Sequence, residues 1–556
     1  RPVFSRRNSR GARLALATGM KLSLVAMARL GLVASTFSLV ACSGAIDPEG
    51  PAPTPSPSTT TEPTPAPPTP GPSPESIAWA TCEVPGMRGD IEADCATVDM
   101  PAQRGKADSG TVPVAVYRLK AAKQPAKAQM WMLNGGPGGA GFGLGPYGEL
   151  VAQTFTQSID VYLIDHRGTG ESDFLDCPKA YRTSQTTGDF MKKCSQEIRD
   201  SRGAKLDGYS TTESAHDVRE LIDRTAGKDQ KVYVYGGSYG SYWAHRLLQI
   251  PNVRVDAVIT DGNCISSTCT FDTPQVFGVD ETMGYVFDVC KDSTACAEKV
   301  GADPKAFVTQ LVQKLKAGHC SAARISTVPL ADVAHTIGAM WASGVMPTLY
   351  RLDRCNEGDV RVLNTLEQKL QEVSQRGPVK VPVLGPTPRP SQATDSSTAL
   401  QLHVIASEMI SRPAPSPASL EAKARGLLFS PGPDAYDITY FDTWQTYPRD
   451  GFMDGWMSRD VPWLMMQGTF DFQTVVSLSK TALPKIADPS LQYVTVDGGG
   501  HGVVFDSECS IAITEAFLAN PKAKVDTSCL GEVRKKSLDI DARYTQYFMG
   551  VQNAWE

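Results

Sequence analysis

Three residue types that together activate an alcohol occur at loop-like positions of this chain. Ser238 stands inside Gly236-Gly237-Ser238-Tyr239-Gly240, between a β-rich apolar run from Lys231 to Tyr235 and a helix-compatible segment reaching His245. A serine at the tip of such a strand-turn-helix elbow sits in strained backbone with its hydroxyl exposed. Glycines at 236 and 240 let strand and helix approach closely. A hydroxyl is a weak nucleophile at neutral pH and needs a base, itself oriented by a carboxylate. Seven histidines are available. His216 precedes the elbow on a helix, His245 lies on the helix after it, and His319, His335 and His403 fall in a long helical stretch. His166 follows a strand, but its setting in Asp165-His166-Arg167-Gly168 reads as a structural loop. That leaves His501, after the last apolar run and between Gly500 and Gly502. Asp471, closing the preceding apolar run, supplies the carboxylate, with Asp497 and Asp506 in reserve.

The elements that must position these groups alternate. Thr111 to Tyr117, Ala128 to Leu133, Ile159 to Ile164, Lys231 to Tyr235 and Val255 to Thr260 read as strands, and a helix with its apolar residues on one face runs from Thr212 to Ala226, capped by Thr212 or Ser214. Trp79 to Lys120 reads as antiparallel edge strands. Alternating strands and helices imply a mostly parallel sheet covered on both faces. The alternation stops after Asp261-Gly262. Residues 263 to 450 show helical patterns from Pro304, Leu330, Val360 and Ala399, with Pro-rich breaks at 378–390 and 413–417, and are expected to form an inserted helical lid. Strands return at Val461 to Gln467 and Leu491 to Val496. The expected division is 76–262 for the first part of the sheet domain, 263–450 for the lid and 451–556 for the second part.

With 556 residues, 41% apolar and a formal charge of −6, the chain can bury a large core and carries no basic surface for nucleic acid. A basic N-terminus with a short uncharged run from Leu30 to Ala41 reads as an export signal, best begun at Met20. Leu39-Val40-Ala41-Cys42 resembles a bacterial lipoprotein processing site, which would acylate Cys42 at the end of segment 1–42. Residues 43–75, rich in Pro, Thr and Ser, are expected to form an extended tether. Of 13 cysteines, setting aside Cys42 leaves six neighbouring pairs: Cys82/Cys95, Cys177/Cys194, Cys264/Cys269, Cys290/Cys296, Cys320/Cys355 and Cys509/Cys529. They point to disulfides in an oxidising compartment rather than to metal. No cofactor or metal is expected, and a monomer is.

Asn134-Gly-Gly-Pro-Gly138, Asp165-His-Arg-Gly-Thr-Gly170, Gly236-Gly-Ser-Tyr-Gly240, Gly468-Thr-Phe-Asp471 and Gly500-His501-Gly502 resemble the successive motifs of the proline iminopeptidase and tripeptidyl aminopeptidase family of α/β-hydrolases, closest to its secreted tripeptidyl aminopeptidase branch. The order Ser, Asp, His is also that of α/β-hydrolases. Asn134 stands where proline iminopeptidases typically have His, and Phe472-Gln473 follows the acid in place of the more usual residues. The resemblance implies an α/β-hydrolase fold and release of short units from the N-termini of peptides. It makes Ser238 the nucleophile, His501 the base and Asp471 its orienter, with the N–H groups of Gly136 and Tyr239 holding the oxyanion. A free α-ammonium would need a carboxylate, for which Glu171, Asp280 and Glu281 are candidates. Hydrolysis should fall below the base's pKa near 6.5. Carboxylic-ester hydrolysis is the main alternative. Gly136-Pro-Gly-Gly-Ala-Gly141 also satisfies a dinucleotide-binding pattern, but its glycines make a poor helix start and the reading leaves Ser238 and His501 unexplained.

Overall fold

The computed structural model describes residues 77–556 apart from 85–86, 88–92, 267, 274, 377–395, 458–459 and 487–488, and not the side chains of 372–376 and 434. The expected signal segment, Cys42, the 43–75 tether and the Pro-rich break at 378–390 lie outside the described residues.

Nine strands form one sheet: β1 (Ala80–Cys82), β2 (Ala93–Pro101), β3 (Thr111–Leu119), β4 (Ala128–Leu133), β5 (Ile159–Ile164), β6 (Lys231–Gly237), β7 (Ala257–Asp261), β8 (Trp463–Gly468) and β9 (Leu491–Val496). Their spatial order is β1-β2-β3-β5-β4-β6-β7-β8-β9. The first three strands and the β3–β5 pair are antiparallel, and every pairing from β5 to β9 is parallel. Burial follows the same division. Strands β4, β5 and β8 are buried at every position, whereas β2 alternates along its second half, as expected for a central strand covered on both faces against an edge strand wetted on one. Successive residues serve opposite layers: Trp131, Leu133, Val232 and Val234 join one core, and Met130, Met132, Tyr233 and Tyr235 the other.

The helix before the elbow runs Thr211–Thr225, one residue earlier than the apolar pattern predicts. Its cap is Ser210, whose Oγ accepts the Glu213 N–H at 3.2 Å, not Thr212 or Ser214. Ser210-x-x-Glu213 is the capping-box spacing, a signal masked by the neighbouring hydroxyl residues.

Between β7 and β8 the described residues form helices, among them Val279–Asp292, Leu330–Trp341, Glu357–Arg376 and Thr398–Val404. This insertion has two attachments. Its Val279 to Leu370 portion builds a third hydrophobic core that also takes in Phe470, Phe472, Phe548 and Trp555. Its Ala399 to Ile410 portion packs into the sheet's own core. The end of the chain thus rests on the helical layer, where Arg351 Nε donates to the Ala554 carbonyl at 2.7 Å. Six disulfides join Cys82–Cys95, Cys177–Cys194, Cys264–Cys269, Cys290–Cys296, Cys320–Cys355 and Cys509–Cys529, the pairing expected from neighbour order. No helix among the described residues is long and apolar enough to cross a membrane.

Candidate active site

Ser238 joins β6 to the helix Tyr239–Gln249 with φ 56° and ψ −129°. That left-handed conformation costs a side-chain-bearing residue about 1–3 kcal/mol and persists only where the surroundings enforce it. Here the enforcement is steric. A Cβ on Gly236 would lie 2.3 Å from the Gly240 carbonyl oxygen, and one on Gly240 would lie 2.0 Å from that of Leu133, so only glycine lets the strand and helix close on each other. Two hydrogen bonds then fix the turn: Ser238 N–H donates to the Asp261 carbonyl at 2.8 Å, and Ser241 Oγ donates to the Ser238 carbonyl at 2.6 Å.

His501 lies in the turn after β9, and Asp471 in the turn after β8. The turns are sewn together, with Phe470 N–H donating to the Gly499 carbonyl at 2.7 Å. Asp471 is wholly buried. Its Oδ2 lies 2.9 Å from His501 Nδ1 and accepts Thr474 Oγ1 at 2.7 Å, while Oδ1 accepts the N–H groups of Gln473 and Thr474, each at 2.8 Å. A carboxylate so surrounded keeps its charge. Burial pushes its pKa up, but His501 and Thr474 more than offset this and hold it below the ordinary value. The carboxylate at Nδ1 assigns the imidazole proton to that nitrogen and leaves Nε2 as the acceptor.

His501 is also set apart by its electrostatics. Burial pushes His166, His216, His335 and His403 down to about 4, and His245 to about 3. At His501 burial acts in the same direction, but Asp471 and, to a smaller extent, Asp261 outweigh it and raise the pKa above the ordinary value of 6.5.

The Ser238 turn and the His501 imidazole meet on one structural feature, the turn Asp261-Gly262 at the end of β7. Asp261 takes the Ser238 N–H, and Gly262, at φ +55°, lies so close to the imidazole that a Cβ there would be 2.8 Å from His501 Cε1. The glycine loop after β4 closes the other side. A Cβ on Gly135 would lie 2.7 Å from Ser238 Cβ, which brings Gly136 next to the Ser238 turn. The Gly136 N–H has no protein acceptor among the described residues, and the Tyr239 N–H opens a helix, where no preceding turn can accept it.

The three carboxylates considered for an ammonium group are dispersed. Asp280 accepts the N–H groups of Leu428 and Phe429 at 2.9 and 2.6 Å. Glu281 accepts Ser477 N–H at 2.8 Å and its hydroxyl at 2.6 Å. Both stand at the start of the helix Val279–Asp292, whose Thr282 Oγ1 donates to the Asp471 carbonyl at 3.0 Å. Glu171 is exposed. Its backbone N–H donates to Asp165, a buried carboxylate that also accepts Gly141 N–H and the Tyr117 hydroxyl. Of the reserve acids, Asp497 pairs with Arg534 and accepts Thr469 Oγ1. His166 is enclosed by Arg167, Ser214 and Tyr239, and Arg167 is spent on Asp217 and three carbonyls. Sequence reasoning passed over Thr474 and Asp261. The second left a trace, since an acidic residue closing a central parallel strand stands where such sheets place their sites. No group of three or more His, Cys, Asp or Glu residues that could hold a metal occurs among the described residues.

A mostly parallel sheet flanked by helices, with a serine elbow and a histidine after its last strand, is the α/β-hydrolase fold. A family model described as alpha/beta hydrolase fold matches residues 131–291. A second, described as TAP-like protein, matches residues 441–529, the segment that carries both Asp471 and His501. The chain thus has the α/β-hydrolase fold, and its C-terminal part matches the TAP-like model. No curated protein matches. Solved structures similar to it include an esterase from Exiguobacterium antarcticum, 14% identical, covering 74% of this chain and 97% of its own, TM-score 0.32. An alpha/beta hydrolase from Novosphingobium aromaticivorans is 12% identical and covers 78% of this chain and 99% of its own, TM-score 0.33.

Proposed function

We propose that the protein is an exported serine hydrolase, an aminopeptidase that releases short units, a tripeptide or a single residue, from the N-termini of peptides. The observation that carries the hydrolytic reading is the buried Asp471 carboxylate 2.9 Å from His501 Nδ1, with that imidazole and the strained Ser238 both set against the Asp261-Gly262 turn. A peptide substrate is supported by the sequence motifs and by the TAP-like match over residues 441–529.

In this reading Ser238 Oγ attacks the carbonyl carbon of the scissile bond as His501 Nε2 takes its proton. Asp471 holds the ring and stabilises the imidazolium. The oxyanion forms against the N–H groups of Gly136 and Tyr239, each worth about 3 kcal/mol in the transition state. His501 then returns the proton to the leaving amine, and a water repeats the sequence in reverse on the acyl-enzyme. Asp280 and Glu281 spend their carboxylates on backbone amides, so Glu171 is the remaining candidate of the three for the substrate's α-ammonium. Six disulfides support an oxidising, exported location, and acylation at Cys42 would make the tether a membrane leash.

Intact-mass analysis after a peptidyl diphenyl phosphonate tests the nucleophile: the wild type gains one adduct and Ser238→Ala gains none. Labelling of Ser238→Ala would end the assignment. A panel of N-terminally free peptides, N-blocked peptides and esters tests the substrate, and turnover of esters alone would replace the aminopeptidase by a carboxylic-ester hydrolase.

A further inference from the structure

Asp261 closes β7 and reaches both reacting partners through different atoms. Its backbone carbonyl accepts the Ser238 N–H at 2.8 Å. Its carboxylate turns to the histidine loop, where Oδ1 accepts Val503 N–H at 2.8 Å and Oδ2 accepts Val504 N–H at 2.7 Å. These amides begin two residues beyond His501, and the next residue of the strand turn, Gly262, lies against the imidazole itself. Asp261 is 1% exposed. Burying a carboxylate is expensive, and two amide donors recover only part of the cost. An asparagine would fill the same space without a charge, but its NH₂ would face one of the amide hydrogens.

We infer that Asp261 is a positioning residue for the chemistry proposed above: it fixes the His501 loop relative to the Ser238 turn and sets a second carboxylate against the imidazolium. The inference rests on the serine-hydrolase reading. Asp471 orients the ring from Nδ1, on the side of β8. Asp261 anchors the loop from β7, so the imidazole is held from two strands and not from one. An error of about 1 Å between a base and its nucleophile costs on the order of a hundredfold in rate.

The groups around it are few. Asp261 faces His501 and Asp471, and the Tyr235 phenol on β6 lies beside it, with Tyr147 next to that phenol. Burial keeps Tyr235 neutral. His335, on the helix Leu330–Trp341, stands near Asp471 but is pushed down to about 4 by burial. The charges that act on His501 near neutrality are therefore the carboxylates of Asp471 and Asp261. Burial pushes Asp261 itself up to about 6, so its carboxylate neutralises on the acid side of the histidine's raised pKa.

The rate of Ser238 phosphonylation by a peptidyl diphenyl phosphonate, followed from pH 5 to 9, tests the inference. In the wild type both protons must be lost, and the logarithm of the rate should fall with a slope steeper than one below about pH 6. In Asp261→Asn the slope should return to one, the acid limb should move to lower pH, and kcat should drop about tenfold to a hundredfold with KM within about twofold. A wild-type slope of one, or a folded Asp261→Asn with the wild-type limb and kcat, overturns the inference and leaves the serine-hydrolase reading standing. Should Asp261→Asn fail to fold, the wild-type slope decides alone. Absence of any adduct on wild-type Ser238 is a different failure, because it removes the nucleophile and with it the base that Asp261 would position.

Discussion

The Ser397 N–H donates to the Gly138 carbonyl at 2.9 Å, which pins the glycine loop beside Ser238 to the helical insertion. Gly138 is at φ +101°, and a Cβ there would lie 2.4 Å from the Ser397 carbonyl oxygen. Gly138→Ala must therefore distort one partner or the other. The strain amounts to about 1–3 kcal/mol, and a loop displaced from Ser238 loses one oxyanion donor, worth about 10² to 10³ in kcat. Steady-state kinetics check this, and a wild-type kcat in a folded Gly138→Ala would take the loop out of the chemistry.

Asp471→Asn keeps the shape of the acid but offers His501 an amide in place of a charge. The imidazole loses its fixed tautomer, and kcat is expected to fall about 10⁴-fold with the fold intact. Thermal unfolding measured beside kcat separates loss of orientation from loss of structure. The further donors to Asp471, namely the Gln473 and Thr474 N–H groups, Thr474 Oγ1 and Gln467 Nε2, make a modest stability cost the expected companion.

The pH dependence has a definite sign. The base works when neutral, and its pKa is raised above 6.5, so kcat/KM should fall as pH drops through a value above 6.5, higher than an unperturbed histidine implies. Stability runs the other way. A raised histidine contributes stability that is fully present below pH 6.5 and is lost as pH rises through the folded pKa. The depressed Asp471 contributes stability above 3.8 that is lost as pH falls through its folded pKa. A double-mutant cycle of Asp471→Asn and His501→Gln should thus show stronger coupling at about pH 5.5 than at pH 9. Equal coupling at both would contradict the raised pKa.

Glu408 enters from the insertion and lies buried under the helix that follows Ser238, accepting Arg246 Nη2 at 2.9 Å, the Tyr447 hydroxyl at 2.6 Å and the Tyr242 hydroxyl at 3.1 Å. The ion pair is wholly excluded from solvent. Glu408→Gln strands the guanidinium, and removing one partner of such a pair costs about 3–5 kcal/mol. Urea unfolding reads the loss. The double replacement Glu408→Leu with Arg246→Met should recover much of it, since the penalty comes from an unpaired charge.

How far the chain announces this arrangement differs between residues. Ser238 is legible because the elbow needs glycine on both sides, and both glycines are in the sequence. His501 is legible by exclusion, as the other histidines lie on helices, in a structural loop or, for His319, in a turn of the insertion, and five of them prove to be held neutral by burial. The motif departure at Phe472 acquires a reason only in space: with Phe470 it enters the core of the helical insertion, and a Cβ on Gly338 would meet its ring at 2.4 Å. The acid's turn is thereby clamped by buried aromatic rings, each contributing about 1.5–3 kcal/mol of burial.

The sequence by itself determined the alternation that builds a parallel sheet, the strained turn that bears a serine and the order in which acid and histidine follow it. These depend on local spacing, which one stretch of chain can encode alone. Only the tertiary structure decided that Asp280 and Glu281 bind backbone amides, that the end of the chain packs on the insertion and that Asp261 spans the nucleophile turn and the histidine loop. Such roles belong to pairs of segments up to 243 positions apart, where the partner of a carboxylate is set by sheet order and helix packing, and neither is written in the residues around it.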